Sequence, residues 1–263
     1  KGAHDAGLIR AMGARDLALL ISAVAELPAL MVTVAPESVT GDQIAAMAAA
    51  GIVVSLGHTD CSAGVARAAM ASGARCATHL FNAMSQMGNR EPGMVGAVLG
   101  SDGFAGLIAD GIHVDALTLR VALAAKRQGI FLVSDCMALA GTEGTEFHLG
   151  GRRILRAGGR LTLEDGTLAG ADLTLPRAVQ VLVQDVGIAP ERALAMASAV
   201  PATVIGMADR FGALAVGQGR LAAPALGQEA LMRLAGLAPA PPGPVDVGPQ
   251  TVDLGNHTHS RIA

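Results

Sequence analysis

Short apolar runs alternate with longer Ala-rich stretches along most of the chain. Residues 31–35 (MVTVA) predict a strand that ends at Pro36-Glu37. Thr40 or Asp42 then opens a helix that runs through residue 50. Residues 52–56 (IVVSL) form the next strand, ending at Gly57-His58, and Asp60 or Ser62 caps a helix to residue 72. A short strand at 76–78 ends at His79, another at 105–109 ends at Asp110, and a helix follows over 117–128. Residues 130–133 make a last strand, ending at Ser134-Asp135. Near-continuous apolar strands separated by helices predict a parallel sheet covered on both faces.

The ionisable residues gather just after these strands: Glu37, His58, His79, Asp110 with His113, and Asp135. That rim carries the chemistry in a β/α barrel, and a doubly wound sheet also places its site at strand C-termini. No GxGxxG follows a strand and there is no P-loop, so nucleotide-binding versions lose support. The pattern changes at about residue 147. The stretch 147–165 is rich in Gly and in alternation and predicts a β-hairpin excursion. Helical patterns return over 173–186 and 190–198. Five strand–helix steps are visible, fewer than the eight of a closed barrel. Residues 219–263 lose periodicity and become Pro- and Gly-rich, an irregular tail after a first unit of 1–218.

Composition narrows the function. Aromatics are 2%, with no Trp or Tyr, which leaves almost no stacking platform for single-stranded nucleic acid. Net charge is −3 and no Lys/Arg run stands out, so no nucleic-acid footprint is expected. The longest apolar stretch, 44–57, falls short of the roughly 18 residues that suggest a membrane span. Three cysteines without CxxC spacing predict free thiols in a reducing, cytoplasmic setting. The chain opens on Lys1 without an initiator Met, and the expectation is that natural sequence precedes it.

Each candidate residue admits two readings. His58 and His79 are 21 residues apart, about one strand–helix unit, so neighbouring strands would bring both imidazoles to one end. Imidazole suits Zn²⁺ or Fe²⁺; the alternative is two unrelated polar residues near loops. Asp135 is placed to move a proton for an activated water, or simply to cap a helix. His113 either donates to a substrate oxygen or is a satisfied loop histidine. Arg90, in the Gly/Pro-bounded loop GNREPG, either grips a phosphate or is a surface cation.

The segments KGAH (1–4), APE (35–37), GHT (57–59), THLFNAM (78–84), GNREPG (88–93), ADGIHVD (109–115), LVSD (132–135) and GTLAG (166–170) run in the order and approximate spacing of the N-acetylglucosamine-6-phosphate deacetylases. These belong to the amidohydrolase superfamily. The resemblance covers roughly residues 1–218, and THLFNAM with REPG is its most specific pair. It implies a partial TIM-type (β/α)8 barrel and a divalent metal, zinc before iron, on His58 and His79. It implies that Asp135 is the catalytic acid/base and that His113 orients the acetamide or a sugar hydroxyl. Ala3, His4, Asn82, Ala83 and the stretch Leu168, Ala169, Gly170, Ala171 would contact the amino-sugar phosphate. Arg90 would grip the 6-phosphate, offered to a neighbouring subunit's site, which implies a homodimer. The expectation is that the imidazoles and the Asp135 carboxylate converge on one ion.

The sequence departs from the pattern in places. The family's third metal ligand is a Glu in a segment before KGAH, which this chain lacks. Cys136 stands after Asp135 where the family has Ala or Thr. His257-Thr258-His259 follows no apolar run and reads as tail rather than as a metal motif. Two rival functions remain: another amidohydrolase acting on a different amide, and an inactive sugar-phosphate-binding fragment.

Overall fold

A computed structural model describes residues 6–213. Ala3, His4, the 219–263 tail and the His257/His259 pair lie outside the described residues. Five parallel strands form one sheet in sequence order: β1 (Met31–Val34), β2 (Val53–Leu56), β3 (Cys76–Ala77), β4 (Phe104–Leu107) and β5 (Ile130–Leu132). Val32 faces Val54, Leu56 faces Ala77, and Ala105 faces both Ala77 and Ile130, so the register steps regularly across the sheet. This is the predicted partial β/α barrel, with β1 and β5 as the unpaired edges among the described residues.

Between the strands run α2 (Gly41–Ala49), α3 (Ala63–Ala71), α4 (Gly93–Leu99) and α5 (Ala116–Ala125), after an N-terminal α1 (Ala14–Ala23). The starts of the helices follow local chemistry. Thr40 accepts from the Gln43 amide while the Gln43 side chain returns a bond to the Thr40 amide, a capping box. Ser62 caps α3 and Asp115 caps α5 through their side-chain oxygens. Alternation along β2 sends Val54 and Leu56 outward against Ile44, Met47, Ala66 and Ala69 of the helices. Val53 points the other way, joining Cys76, Phe131 and Val204 of α8 (Ala199–Val204). Burying all four β2 residues, Ser55 included, explains why it reads as a near-continuous apolar run.

The 147–165 excursion is larger than a hairpin. Three antiparallel strands, β6 (Glu146–Leu149), β7 (Arg152–Ala157) and β8 (Arg160–Leu163), form a separate sheet. Leu139, Ile154, Leu161 and Ala169 make its own small core. The third strand escaped the sequence because β6 is only four residues long and mostly exposed, with Phe147 alone packed against the small core. The helix predicted over 173–186 also divides, into α6 (Leu175–Val181) and a π-helical turn at Leu182–Val186; α7 (Pro190–Ala197) follows.

Candidate metal and proton-transfer site

The rim residues are held by unusual backbone. Five non-glycine residues among those described have positive φ, and all five lie here: His58 (50°), His79 (31°), Phe81 (79°), Ala83 (48°) and Asp135 (47°). Each such residue costs about 1–3 kcal/mol, and strain of this kind collects at functional sites. The strand ends therefore turn sharply at the three residues assigned chemistry.

His58 and His79 meet. Their Nε2 atoms are 2.9 Å apart and the rings cross at 70°. Metal–nitrogen bonds of about 2.0–2.1 Å would let two nitrogens this close share one ion. The pair fits a divalent cation in donor type and direction. His79 is 6% exposed, and its Nδ1 is buried without a hydrogen-bond partner among the described residues. An orphaned buried nitrogen is tolerated at a working site more readily than in a packed core. The expected three-way convergence is only half present. No three His, Cys, Asp or Glu among the described residues are placed to hold an ion together, so Asp135 does not join the two imidazoles as a ligand. Asp135 is exposed at the end of the outermost strand β5, free of any requirement to coordinate.

The loops around the imidazoles are tied to each other. Glu37, which the sequence placed at a strand end without a role, accepts from Thr59 Oγ1 at 2.7 and 2.8 Å and from the Asp60 amide at 2.9 Å. It thereby fixes the turn that carries His58. Thr59 pairs in turn with the loop after β3: its amide donates to the Ala83 carbonyl, and the Ser85 amide donates to the Thr59 carbonyl. Asn82 is half-buried, with its amide donating to the His79 carbonyl at 2.9 Å.

Arg90 sits at the tip of a closed loop. It is exposed and carries no hydrogen bond or ion pair among the described residues. Its neighbour Glu91 accepts from the Ala63 amide at 2.7 Å and from the Gly93 amide at 3.0 Å, which clips the loop to the start of α3. Those amides hold the Glu91 carboxyl below its ordinary range. Gly93 has φ +62°, and a Cβ there would meet backbone carbonyls of Gln86 and Ser85, the latter at 2.8 Å. Gly93→Ala is expected to cost about 2 kcal/mol or more. A urea titration of the two proteins checks this, and equal midpoints would show that the loop is not built as described.

His113 and Asp110 form a buried pair, with side chains 5% and 8% exposed and Nδ1 to Oδ2 at 2.6 Å. The other ring nitrogen lies 3.1 Å from the Ala169 carbonyl. The stretch 168–171 is therefore beside the site, as expected, and it is also sewn to Asp135, whose carbonyl accepts from the Ala171 amide at 2.7 Å. Two cavities lie at the opposite, N-terminal ends of the strands. The smaller, about 310 Å³, is lined by Phe104, Ile130, Arg192 and Met196; neither cavity includes His58, His79, His113 or Asp135. Chemistry and strain both locate the site at the C-terminal rim, and the rim is where we place it.

Parallel strands joined by helices, with two imidazoles meeting at their C-terminal ends, place the chain among the β/α-barrel proteins. The sequence profile of the amidohydrolase family matches residues 23–219, and the chain belongs to that family. It is 35% identical over 207 residues to an N-acetylgalactosamine-6-phosphate deacetylase of Shewanella sp. (strain ANA-3), covering 78% of this chain and 52% of that protein. It is 38% identical over 189 residues to an N-acetylglucosamine-6-phosphate deacetylase of Haemophilus influenzae, covering 71% and 50%. The crystal structure of N-acetylglucosamine-6-phosphate deacetylase from Pasteurella multocida superposes with a TM-score of 0.80 at 36% identity, over 83% of this chain and 57% of that one. The chain spans about half the length of the curated relatives it matches.

Proposed function

We propose that the protein hydrolyses the acetamide of N-acetyl-D-glucosamine 6-phosphate to D-glucosamine 6-phosphate and acetate. The observation that carries this is the pair of Nε2 atoms, 2.9 Å apart at the rim, within a family of amide hydrolases. The phosphate rests on the similar deacetylases, which are named for 6-phosphate substrates, and on Arg90, exposed at the tip of its loop. Zinc, or alternatively ferrous iron, bound by His58, His79 and a donor from outside the described residues would polarise the amide carbonyl and acidify water. Asp135 accepts a proton from the attacking water and delivers it to the departing nitrogen. The C–N bond breaks, the water oxygen stays with the acetyl group, and the amine leaves protonated. Asn82, Ala83 and the 168–171 stretch wall the sugar; the contacts expected of Ala3 and His4 lie outside the described residues. Arg90, exposed and unpaired among the described residues, faces the 6-phosphate of a neighbouring subunit's substrate in a homodimer.

The free cysteines (Cys61 and Cys76 buried, Cys136 exposed) accord with a cytoplasmic setting. No helix among the described residues is long and apolar enough to cross a membrane. The test compares three substrates: the 6-phosphate, its C4 epimer, and unphosphorylated N-acetylglucosamine. A charge-assisted contact is worth about 1.5–3 kcal/mol. Arg90→Ala is therefore expected to lower kcat/KM for the phosphorylated sugars about 10- to 100-fold and to leave the unphosphorylated one unchanged. Hydrolysis of the unphosphorylated sugar as well as the 6-phosphate by the native protein overturns the phosphate assignment. Faster hydrolysis of the C4 epimer overturns the gluco assignment alone.

A further inference from the structure

Two acceptors face the two ring nitrogens of His113. Asp110 Oδ2 is 2.6 Å from Nδ1, and the Ala169 carbonyl is 3.1 Å from Nε2. An ionised carboxylate and a carbonyl can only accept, so both nitrogens must donate, and only imidazolium carries two N–H groups. Asp110 is itself held as a carboxylate: its Oδ1 accepts from the amides of Ile112 and His113, both at 2.8 Å. The pair is nearly enclosed, so neither charge is satisfied by bulk water.

On the far side of Ala169 the chain approaches Asp135 closely. A Cβ at Gly170 would stand 2.6 Å from the Asp135 carbonyl oxygen. The Ala171 amide donates to that same oxygen, and the Met137 amide donates back to the Ala171 carbonyl at 3.2 Å. The stretch 168–171 is thus clamped between two barrel strands, β4 through Asp110 and His113, and β5 through Asp135. We propose, resting on the reading of 168–171 as a wall of the substrate site, that Asp110 and His113 are positioning residues. They form a charged clamp, with imidazolium gripping the Ala169 carbonyl and holding that wall at its distance from Asp135.

The electrostatics agree. Burial alone lowers the His113 value, but the Asp110 hydrogen bond, the Ala169 carbonyl and the charges of Asp110 and Asp135 outweigh it, and the net shift is upward. Burial raises the Asp110 value, and the bonds from His113 and the two amides bring it below the ordinary range. A raised histidine value gives the pH sense. The clamp is fully formed below about pH 6.5, the ordinary histidine value, and is lost as pH rises through the higher folded value.

Nitrogen-15 NMR of the full-length protein reads the ring directly. Both His113 nitrogens are expected to report as N–H beyond the pH at which a free histidine deprotonates. In Asp110→Asn the titration is expected to fall back to or below the ordinary range. Amide exchange supplies the second measurement: protection at 169–171 is expected to drop at least tenfold in His113→Ala, with β2 to β4 still protected. An ordinary or lowered titration in the native protein overturns the proposal, as does unchanged 169–171 protection in His113→Ala. Neither measurement requires turnover, so failure of the deacetylase assignment and failure of the clamp are separately visible.

Discussion

Asp135→Asn is expected to reduce kcat for N-acetylglucosamine 6-phosphate by about 10²–10⁴-fold, the range general acid–base catalysis supplies. The substitution keeps size and hydrogen-bonding capacity but removes the site that takes and returns the proton. Because Asp135 is not grouped with His58 and His79 around an ion, the bound metal should stay. Substrate affinity should change little, since in the proposed mechanism the carboxylate acts on water and the leaving nitrogen rather than on the sugar. Steady-state kinetics alongside elemental analysis of the purified variant decides the matter. Loss of metal in parallel with activity would make Asp135 a ligand, and undiminished turnover would remove it from the mechanism.

The second large effect concerns the imidazoles. His79→Ala or His58→Ala should each weaken divalent-metal binding by more than about 100-fold, because even second-sphere partners of metal ligands cost 10- to 100-fold. Metal per chain after dialysis is the readout, and activity should fall with it. The fold should survive, since His79 makes no hydrogen bond through Nδ1 among the described residues and His58 is only half-buried. Retention of the native metal content in both variants would show that the 2.9 Å approach of the rings is packing alone.

The parts that were legible follow from local rules. Apolar runs announced all five parallel strands, although β1 is buried only at Val34, and of the paired candidates for helix starts Thr40 and Ser62 are the ones that cap. The 21-residue spacing of the histidines correctly placed them on adjacent strands. Other features have no local signature. The helix α4 hides inside GNREPGMVGAVLG because its first residue is a glycine fitted against a backbone carbonyl, which reads as loop. Glu37, Glu91 and Asp110 were visible as acids, but their partners lie across 22 or 28 residues or inside one tight turn, and only the fold chooses among them. His113 was assigned to substrate from resemblance; the contacts of its two nitrogens with Asp110 and Ala169 had no signature in the sequence. The left-handed backbone at residues 58, 79 and 135 is equally invisible, because histidine and aspartate enter that region without glycine's help.

That torsional feature has an evolutionary corollary. At these three positions the main chain would accept glycine or asparagine at lower cost, so residues 58, 79 and 135 trade backbone strain for the chemistry proposed for their side chains. In a lineage that no longer needs the reaction, drift at 58, 79 and 135 should run toward glycine and asparagine, and it should be accompanied by a gain in folding stability rather than a loss. Decay of the catalytic rim would then leave behind a sturdier scaffold.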